Sequence, residues 1–185
     1  MADWEKLEAE LKGALEGEVR FDPYSKILYS TDASMYRIEP VGVVIPRSSE
    51  DVQRALKISA EHRAPILSRG GGTSLAGQTV AKAVVLDFSK YMDRVIEHDP
   101  DGEWARVQPG LVQDHFNDYL RPHGFVFGPN TSTSGQATLG GMIGNNSSGS
   151  ESIVYGKTVD HVLEISGFLS GGEPFTFKPL EGEAL

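Results

Sequence analysis

Three consecutive glycines, Gly70 to Gly72, lie in the segment "SRGGGTSLAGQTV" (68–80), between two apolar stretches that each predict a strand. Successive backbone N–H groups in such a turn can form a concave anion nest, and the missing β-carbons would let a diphosphate approach closely. Thr73, Ser74 and Gln78 could add side-chain donors. The glycines taken alone also fit an ordinary turn with positive φ, so a structural turn and an anion site both stay open.

Two nucleotide-binding motifs come close to this segment and fail. A Walker P-loop is almost spelled by "GTSLAGQT" (72–79), but Gln78 stands where the motif needs lysine, and a strand follows where it needs a helix. A Rossmann fingerprint that starts at Gly70 and Gly72 would need a third glycine where Leu75 stands. The anion nest therefore stays without a motif name at this point.

A second tract rich in Gly, Ser, Thr and Asn covers residues 128–152, "GPNTSTSGQATLGGMIGNNSSGSES". Its composition is typical of a flexible linker, but Leu139, Met142 and Ile143 predict an apolar helical turn that a solvated linker would lack. The tract offers close backbone approach at Gly140 and Gly141, and side-chain donors from four further residues: Asn145, Asn146, Ser147 and Ser148. Two such surfaces suit a long ligand with a diphosphate in its middle.

The elements that position these segments follow from apolar periodicity and from helix-start and turn residues. We predict helices at 3–15, 48–63 and 111–124, strands at 41–46, 64–70 and 83–88, a hairpin turning at 99–102, and two strands within 161–177 joined across Gly171 and Gly172. The strand–helix–strand unit between residues 41 and 70 predicts a parallel pair of strands.

Composition narrows the class of protein. The 185 residues carry a net charge of −9 without a basic stripe, which disfavours a nucleic-acid partner. No apolar stretch approaches the roughly 20 residues that span a bilayer, and the N-terminus is acidic, so we predict a cytoplasmic protein that does not span a membrane. The absence of cysteine excludes disulfides, thiolate metal sites and a cysteine nucleophile in this chain, and no metal site is predicted.

Three motifs in order make the chain similar to a known family: "PILSRGGGTSLAGQTV", "FGPNTSTSGQATLGGMIGNNSSG" and "SIVYGKTVDHV". Together they resemble the FAD-binding domain of the vanillyl-alcohol oxidase / p-cresol methylhydroxylase (PCMH-type) superfamily. Within it, the likeness is greatest to FAD-linked oxidases of the D-lactate dehydrogenase and glycolate oxidase type, which act on D-2-hydroxy acids. The likeness runs from "RFDPYSKILYSTDAS" onward and covers nearly the whole chain.

The resemblance implies an α+β, PCMH-type FAD-binding fold. A small βαβ lobe would occupy residues 1–92 and carry the diphosphate loop at 68–78. Residues 93–185 would form a partial second lobe, the start of a larger and mainly antiparallel sheet, with the flavin-contacting tract at 128–158. In the complete family the domain continues, so we expect this chain to be the N-terminal portion of a longer enzyme.

The resemblance also implies the residues that hold FAD. Around the diphosphate it places Arg69, Gly70, Gly71, Gly72, Thr73, Ser74, Gly77 and Gln78. Around the ribityl chain and flavin ring it places Pro129, Ser134, Thr138, Gly140, Gly141, Asn145, Asn146 and Gly149, with Tyr155 and Gly156 at the flavin edge. Some members bond the flavin to a histidine directly after the glycines, and Thr73 stands there, so noncovalent FAD is expected.

The implied reaction is hydride transfer to the flavin from a D-2-hydroxy acid of the D-lactate, glycolate or D-2-hydroxyglutarate class. The substrate would bind through a missing C-terminal domain, so the chain alone is expected to be inactive, and an electron-acceptor partner is compatible with this chemistry. No catalytic residue is identified, since each of the five histidines also fits a surface, capping or flanking role. Two alternatives stay open: a noncatalytic FAD-binding module or remnant, and a flavin oxidase of the same fold acting on another alcohol.

Overall fold

The structure, a computed structural model, describes residues 3–179. Its helices are α1 (Trp4–Ala14), α2 (Pro23–Leu28), α3 (Ser49–Glu61), α4 (Gln113–Leu120), α5 (Leu139–Asn145) and α6 (Ser152–Tyr155), with 3₁₀ turns at Arg121–His123 and Thr158–His161. Its strands are β1 (Glu18–Arg20), β2 (Gly42–Ile45), β3 (Ile66–Arg69), β4 (Val84–Asp87), β5 (Val95–Asp99), β6 (Trp104–Val107), β7 (Ile165–Phe168) and β8 (Pro174–Phe177).

Four of these strands form one mixed sheet in the order β1-β2-β4-β3. β1 pairs antiparallel with β2, while β2 and β3 each pair parallel with β4. β2 and β4 are buried along their whole length, whereas the outer strands are partly exposed. Continuously apolar strands such as "GVVI" of β2 need cover on both faces, and that cover is greatest in the middle of the sheet.

The predicted parallel pair differs from the structure in one respect. β2 and β3 are parallel, as the strand–helix–strand pattern indicates, but they are not neighbours because β4 lies between them. The fully buried β4 takes the central place, and the half-exposed β3 forms the edge. As a result, β3 and β4 end side by side, and the glycine-rich loop begins directly after β3.

The main apolar core lies between the sheet and helices α1 and α3. Leu7 and Leu11 of α1 and Ala55 of α3 are completely buried against Val44 and Val84 of the sheet. α1 begins after the N-cap Asp3 and α3 after the N-cap Ser48, and each cap side chain accepts a hydrogen bond from a backbone N–H of the first turn. The predicted helix at 48–63 and the strands at 41–46, 64–70 and 83–88 are confirmed to within three residues at each end.

Among the described residues, positions 93–179 contain two antiparallel hairpins and three short α-helices. β5 pairs with β6, and β7 pairs with β8, so both predicted hairpins are confirmed. A separate core of Phe116, Leu120, Leu139 and Met142 joins α4 to α5. The mixed sheet, the hairpins and the helices make an α+β fold, as expected, while the division into lobes at residue 92 stays a prediction.

Within residues 3–179, none of the helices combines the length and the apolar character that a membrane crossing requires.

Candidate functional site

The two glycine-rich segments, more than 50 residues apart in sequence, line one small cleft of about 60 Å³. From the first segment it is lined by Gly70, Gly71, Gly72, Thr73, Ser74 and Thr79, and from the second by Thr131, Thr133, Ala137, Thr138, Gly141, Met142, Asn145 and Ser147. The wall therefore combines glycine backbone, hydroxyl and amide groups with the apolar side chains of Ala137 and Met142. Such a wall, with room for an anionic group rather than for a whole dinucleotide, can bind an anion through N–H and O–H donors.

Gly70 and Gly71 bring the two segments into contact. A β-carbon on Gly70 would overlap the side-chain oxygen of Thr138, and one on Gly71 would overlap the carbonyl oxygen of Gln136. The backbone of the first segment thus lies directly on the second. These two glycines are required by that close approach, which the sequence does not reveal.

Thr138 carries the least satisfied polar group of the cleft. It is 2% exposed, and its hydroxyl has no hydrogen-bond partner within the part of the chain that the structure describes. The residue is the N-cap of α5, yet its side chain does not cap the helix. A buried hydroxyl without a partner is unfavourable by about 1–3 kcal/mol, so a polar ligand in the cleft would relieve a penalty that already exists.

The second segment is held in place by the buried side chain of Gln113, at the start of α4. Its amide nitrogen donates to the carbonyl oxygen of Pro129 at 2.5 Å, and its amide oxygen accepts from the hydroxyl of Thr131 at 2.8 Å. Gln113 itself is completely buried. The tract at 129–131, which has no regular secondary structure, is thereby attached to the core of α4 and α5.

Two polar groups meet below the first segment, where β3 and β4 end. The hydroxyl of Tyr29 donates to the carboxylate of Asp87 at 2.5 Å, and Asp87 also accepts from the backbone and side chain of Ser89. Burial, together with the hydrogen bond to the Asp87 carboxylate, raises the pKa of the Tyr29 hydroxyl well above its usual value. Tyr29 therefore stays protonated and neutral at physiological pH.

Asp32 holds the far end of the first segment. Its carboxylate accepts from the hydroxyl of Thr79 at 2.9 Å and from the backbone N–H of Ser34 at 2.9 Å. Burial raises the pKa of Asp32, but the hydrogen bonds from Ser34 and Thr79 together outweigh that effect and leave the pKa below its usual value. A charged carboxylate is thus fixed beside a loop that is predicted to bind an anion.

The structure brings eight of the eighteen predicted site residues to the small cleft: Gly70, Gly71, Gly72, Thr73, Ser74, Thr138, Gly141 and Asn145. The other ten are not among the residues that line it: Arg69, Gly77, Gln78, Pro129, Ser134, Gly140, Asn146, Gly149, Tyr155 and Gly156. Some of these have contacts elsewhere. The side chain of Asn146 accepts from the backbone N–H of Val159, and Gly140 faces Pro109 on another side of α5. Tyr155 is about half exposed.

A larger cleft of about 990 Å³ lies against that other side of α5, lined by the β5–β6 hairpin, α4, α5 and β7. His98 and His161 contribute to it. The ring of His98 packs edge-on against that of His123, with 4.7 Å between the ring centroids. The Nε2 atom of His161 forms a hydrogen bond with the carbonyl oxygen of Tyr155 at 2.8 Å. The described residues that line the small cleft include no histidine, so the structure adds no acid–base candidate there.

Sequence reasoning missed several residues of this region, above all Asp32, Thr79, Gln113 and Thr131. Gln113 could have been found, because Gln113, Phe116 and Leu120 share one helical face and the last two are plainly core residues. Asp32 and Thr79 carried no such signal, since their contact joins residues 47 positions apart.

The chain is similar in sequence to a known protein family and to several curated proteins. Residues 40–178 match the family described as FAD binding domain. D-2-hydroxyglutarate dehydrogenase of Escherichia coli (strain K12) is 44% identical over 161 residues, which cover 85% of this chain and 16% of that protein. The Pseudomonas putida protein of the same name is 39% identical over 184 residues, covering 98% of this chain and 18% of that protein. Glycolate oxidase subunit GlcD of Bacillus subtilis is 34% identical, covering 86% of this chain and 35% of that protein. The chain thus spans between about a sixth and a third of these curated relatives.

Solved structures share the fold. Alkyldihydroxyacetonephosphate synthase superposes with a TM-score of 0.86 at 21% identity, over 98% of this chain and 36% of that one. P-cresol methylhydroxylase superposes with a TM-score of 0.76 at 21% identity, over 94% of this chain and 35% of that one. These likenesses confirm the predicted PCMH-type fold. With the family match over most of its length and the two glycine-rich segments joined at one cleft, the chain belongs to the FAD binding domain family and has the PCMH-type fold.

Proposed function

We propose that this chain binds FAD noncovalently and that the small cleft between residues 70–79 and 131–147 receives the diphosphate. The observation that carries the proposal is the unpartnered, buried hydroxyl of Thr138 in a cleft lined by both glycine-rich segments. The polar part of the wall fits the group: hydroxyl and amide side chains, with Thr73 and Asn145 among them, line the cleft beside the glycine backbone. Thr73 stands where covalently flavinylated members have histidine, which supports noncovalent binding.

We also propose that the ribityl chain and flavin ring contact the remaining predicted residues of the second tract, which are Pro129, Ser134, Gly140, Asn146 and Gly149. Tyr155 and Gly156 would lie at the flavin edge. Tyr155 has the exposure that a stacking partner needs, since half of its surface is free. Gln113 is added as the residue that holds Pro129 and Thr131 at the cleft.

For the whole protein that contains this sequence, we propose oxidation of a D-2-hydroxy acid. The relatives support this class, because they are named D-2-hydroxyglutarate dehydrogenase, glycolate oxidase subunit GlcD and D-lactate dehydrogenase [cytochrome]. Bound FAD would supply the hydride acceptor. This chain's own contribution would be to bind and orient the cofactor. D-2-hydroxyglutarate is the preferred candidate, since two relatives of that name are 44% and 39% identical to this chain, against 34% for glycolate oxidase subunit GlcD of Bacillus subtilis. A cytoplasmic location and a separate electron acceptor stay predictions.

The binding proposal is tested by titrating the chain with FAD, FMN and riboflavin and following flavin fluorescence. A diphosphate site predicts that FAD binds more tightly than FMN and that FMN, with one phosphate, binds at least as tightly as riboflavin, which has none. Equal affinity for FAD and riboflavin would show that the diphosphate is not recognised. Preference for ATP with magnesium over FAD would contradict the flavin interpretation as a whole.

The reaction is tested on the complete gene product that contains this sequence. D-2-hydroxyglutarate, D-lactate and glycolate are added separately to the FAD-loaded protein without oxygen, with L-2-hydroxyglutarate and L-lactate as controls. We expect D-2-hydroxyglutarate to bleach the oxidised flavin band fastest. Bleaching by none of the three D-series or achiral substrates would contradict the proposed substrate class.

A further inference from the structure

Thr79, at the far end of the first glycine-rich segment, is held from both sides. The carboxylate of Asp32 accepts from the Thr79 hydroxyl at 2.9 Å and from its backbone N–H at 3.4 Å. The guanidinium of Arg69 donates to the Thr79 carbonyl oxygen at 3.1 Å. Arg69 is the last residue of β3, directly before the glycines. Its hydrogen bond therefore joins the two ends of the loop formed by residues 70–78.

The guanidinium of Arg69 also donates hydrogen bonds to two further backbone carbonyl oxygens. It donates to the carbonyl oxygen of Thr31 at 2.8 Å and to that of Tyr29 at 3.4 Å, and it packs over the Tyr29 ring with 5.3 Å between the guanidinium carbon and the ring centroid. Arginine carries five N–H donors in a planar fork, which suits it to collect carbonyl oxygens from several segments. The charged group of Arg69 thus serves contacts within the protein.

The glycine-rich loop packs against Arg69 and against residues 29–36. A β-carbon on Gly72, which has φ +66°, would lie 2.7 Å from the Arg69 guanidinium. The Gly72 carbonyl oxygen accepts from the backbone N–H of Ala33 at 3.0 Å, and Gly77 lies against the ring of Tyr36. Residues 29–36 therefore form a support along one side of the loop, and Arg69 lies between that support and the glycines.

We infer that Asp32, Arg69 and Thr79, here called the Thr79 cluster, are positioning residues that hold loop 70–78 in its binding conformation before the cofactor arrives. This inference rests on the proposed function and gives Arg69 a different role from the predicted one, since Arg69 acts through the loop rather than by wrapping the diphosphate. A glycine-rich loop has much conformational freedom to lose on binding. Closing it in advance removes that loss from the binding step.

Because Asp32 carries a negative charge, the inference can be tested by the direction in which FAD affinity changes when that charge is removed. FAD carries a negatively charged diphosphate, so removing a nearby carboxylate should strengthen binding if electrostatic repulsion dominates. The Thr79 cluster predicts the reverse. Asp32→Ala should weaken FAD binding by about tenfold, the scale of one hydrogen bond to a charged group. Asp101→Ala, in the exposed β5–β6 turn, changes the net charge equally and is expected to leave FAD affinity unchanged within about twofold.

Two substitutions at Thr79 separate the hydroxyl from the shape of the side chain. Thr79→Val keeps the shape and removes the donor to Asp32, and it should weaken FAD binding severalfold. Thr79→Ser keeps the hydroxyl and should retain the wild-type affinity within about twofold. Equal losses in both variants would indicate a packing effect and contradict the inference.

Hydrogen exchange without FAD provides the deciding measurement, because a direct ligand of the diphosphate has no reason to order the free loop. Amides of residues 70–78 should exchange at least tenfold faster in Asp32→Ala and Thr79→Val than in the wild type, while amides of the central strand β4 stay unchanged. Unchanged loop exchange, or tighter FAD binding by Asp32→Ala, would overturn the inference. If the wild-type chain does not bind FAD, the proposed function fails, and the exchange measurement still decides whether the Thr79 cluster orders the loop.

Discussion

Replacing Thr138 with valine removes one hydroxyl group and nearly preserves the shape of the side chain. In the FAD-free protein that hydroxyl is buried, with 2% of the residue exposed, and has no partner among the described residues. Its lost hydration is uncompensated, a penalty of about 1–3 kcal/mol. We therefore expect Thr138→Val to raise the free energy of unfolding of the FAD-free protein by about 1 kcal/mol, at the low end of that range.

The same change should have the opposite effect on FAD binding. A hydroxyl that donates to a charged phosphate contributes about 1.5–3 kcal/mol, and each 1.4 kcal/mol corresponds to a factor of ten in affinity. Thr138→Val should thus weaken FAD binding by at least tenfold. A variant that gains stability while it loses affinity is the signature of a group kept for its ligand.

Urea denaturation of the FAD-free protein and fluorescence titration with FAD measure the two quantities. Thr158 supplies the matched control, since it is 1% exposed but its hydroxyl donates to the carbonyl oxygen of Ser147 at 2.7 Å. Thr158→Val should therefore lower stability, by about 1 kcal/mol. Our reasoning is refuted if Thr138→Val destabilises the FAD-free protein as Thr158→Val does, or if it leaves FAD affinity unchanged.

Three further predictions concern the loops and the fold. Gly71→Val should reduce FAD affinity at least tenfold in the titration, because its β-carbon would overlap the Gln136 carbonyl and separate the two segments. Gln113→Leu should lower the free energy of unfolding by about 1–3 kcal/mol in urea, since it leaves the Pro129 carbonyl unpaired. Glu18→Gln should lower stability by about 1–2 kcal/mol at pH 7, after allowance for solvent screening, with the difference vanishing as the pH falls from 4.5 toward 2.

The sign of the Glu18 prediction follows from its partners. Hydrogen bonds from Lys90, Tyr91 and Arg20 lower the pKa of Glu18 to about 2, from 4.5 in the unfolded chain. A lowered pKa means that the stabilisation is present above pH 4.5 and is lost as the pH falls through the folded-state pKa. A Glu18→Gln difference that stays constant from pH 7 to pH 2 would contradict the prediction.

A glycine control accompanies Gly71→Val. Nothing lies within 4 Å of a β-carbon on Gly13 in α1. Gly13→Ala should therefore stabilise the protein by up to about 1 kcal/mol and leave FAD affinity unchanged. A comparable loss of FAD affinity in Gly13→Ala would show that the effect at Gly71 is not specific to the cleft.

The sequence was sufficient for those elements whose signals are local. β2, α3 and β4 combine uninterrupted apolar runs or a single apolar stripe with recognisable caps, and their bounds were predicted to within three residues. The neighbours of each strand were harder to predict, because placing β4 between β2 and β3 depends on burial across the whole sheet. β1 and α2 were not predicted, although Asp22 before Pro23 is a typical helix start.

The candidate site shows the same division between local and long-range information. Composition left a turn or an anion site open for the first glycine-rich segment and was typical of a linker for the second, and the structure brings the two segments to one cleft. It did not show why Gly70 and Gly71 are glycines, because the groups that exclude a β-carbon there, on Thr138 and Gln136, are more than 60 residues away. The role of a residue in such a long-range contact can be predicted from a single sequence only where helical periodicity indicates that the residue is buried, as it does for Gln113.

The supports of the cleft explain how segments with the composition of linkers can form a binding site. The first segment is joined at its ends by Arg69 and Thr79, and the second is attached to α4 through Gln113. Asp32, which accepts from Thr79, and Gln113 both lie outside the glycine-rich segments. A polar group within the cleft, the Thr138 hydroxyl, has no partner among the described residues. A site whose backbone is already fixed and whose donor is already desolvated has less entropy and less hydration to lose on binding, so more of each new hydrogen bond contributes to affinity.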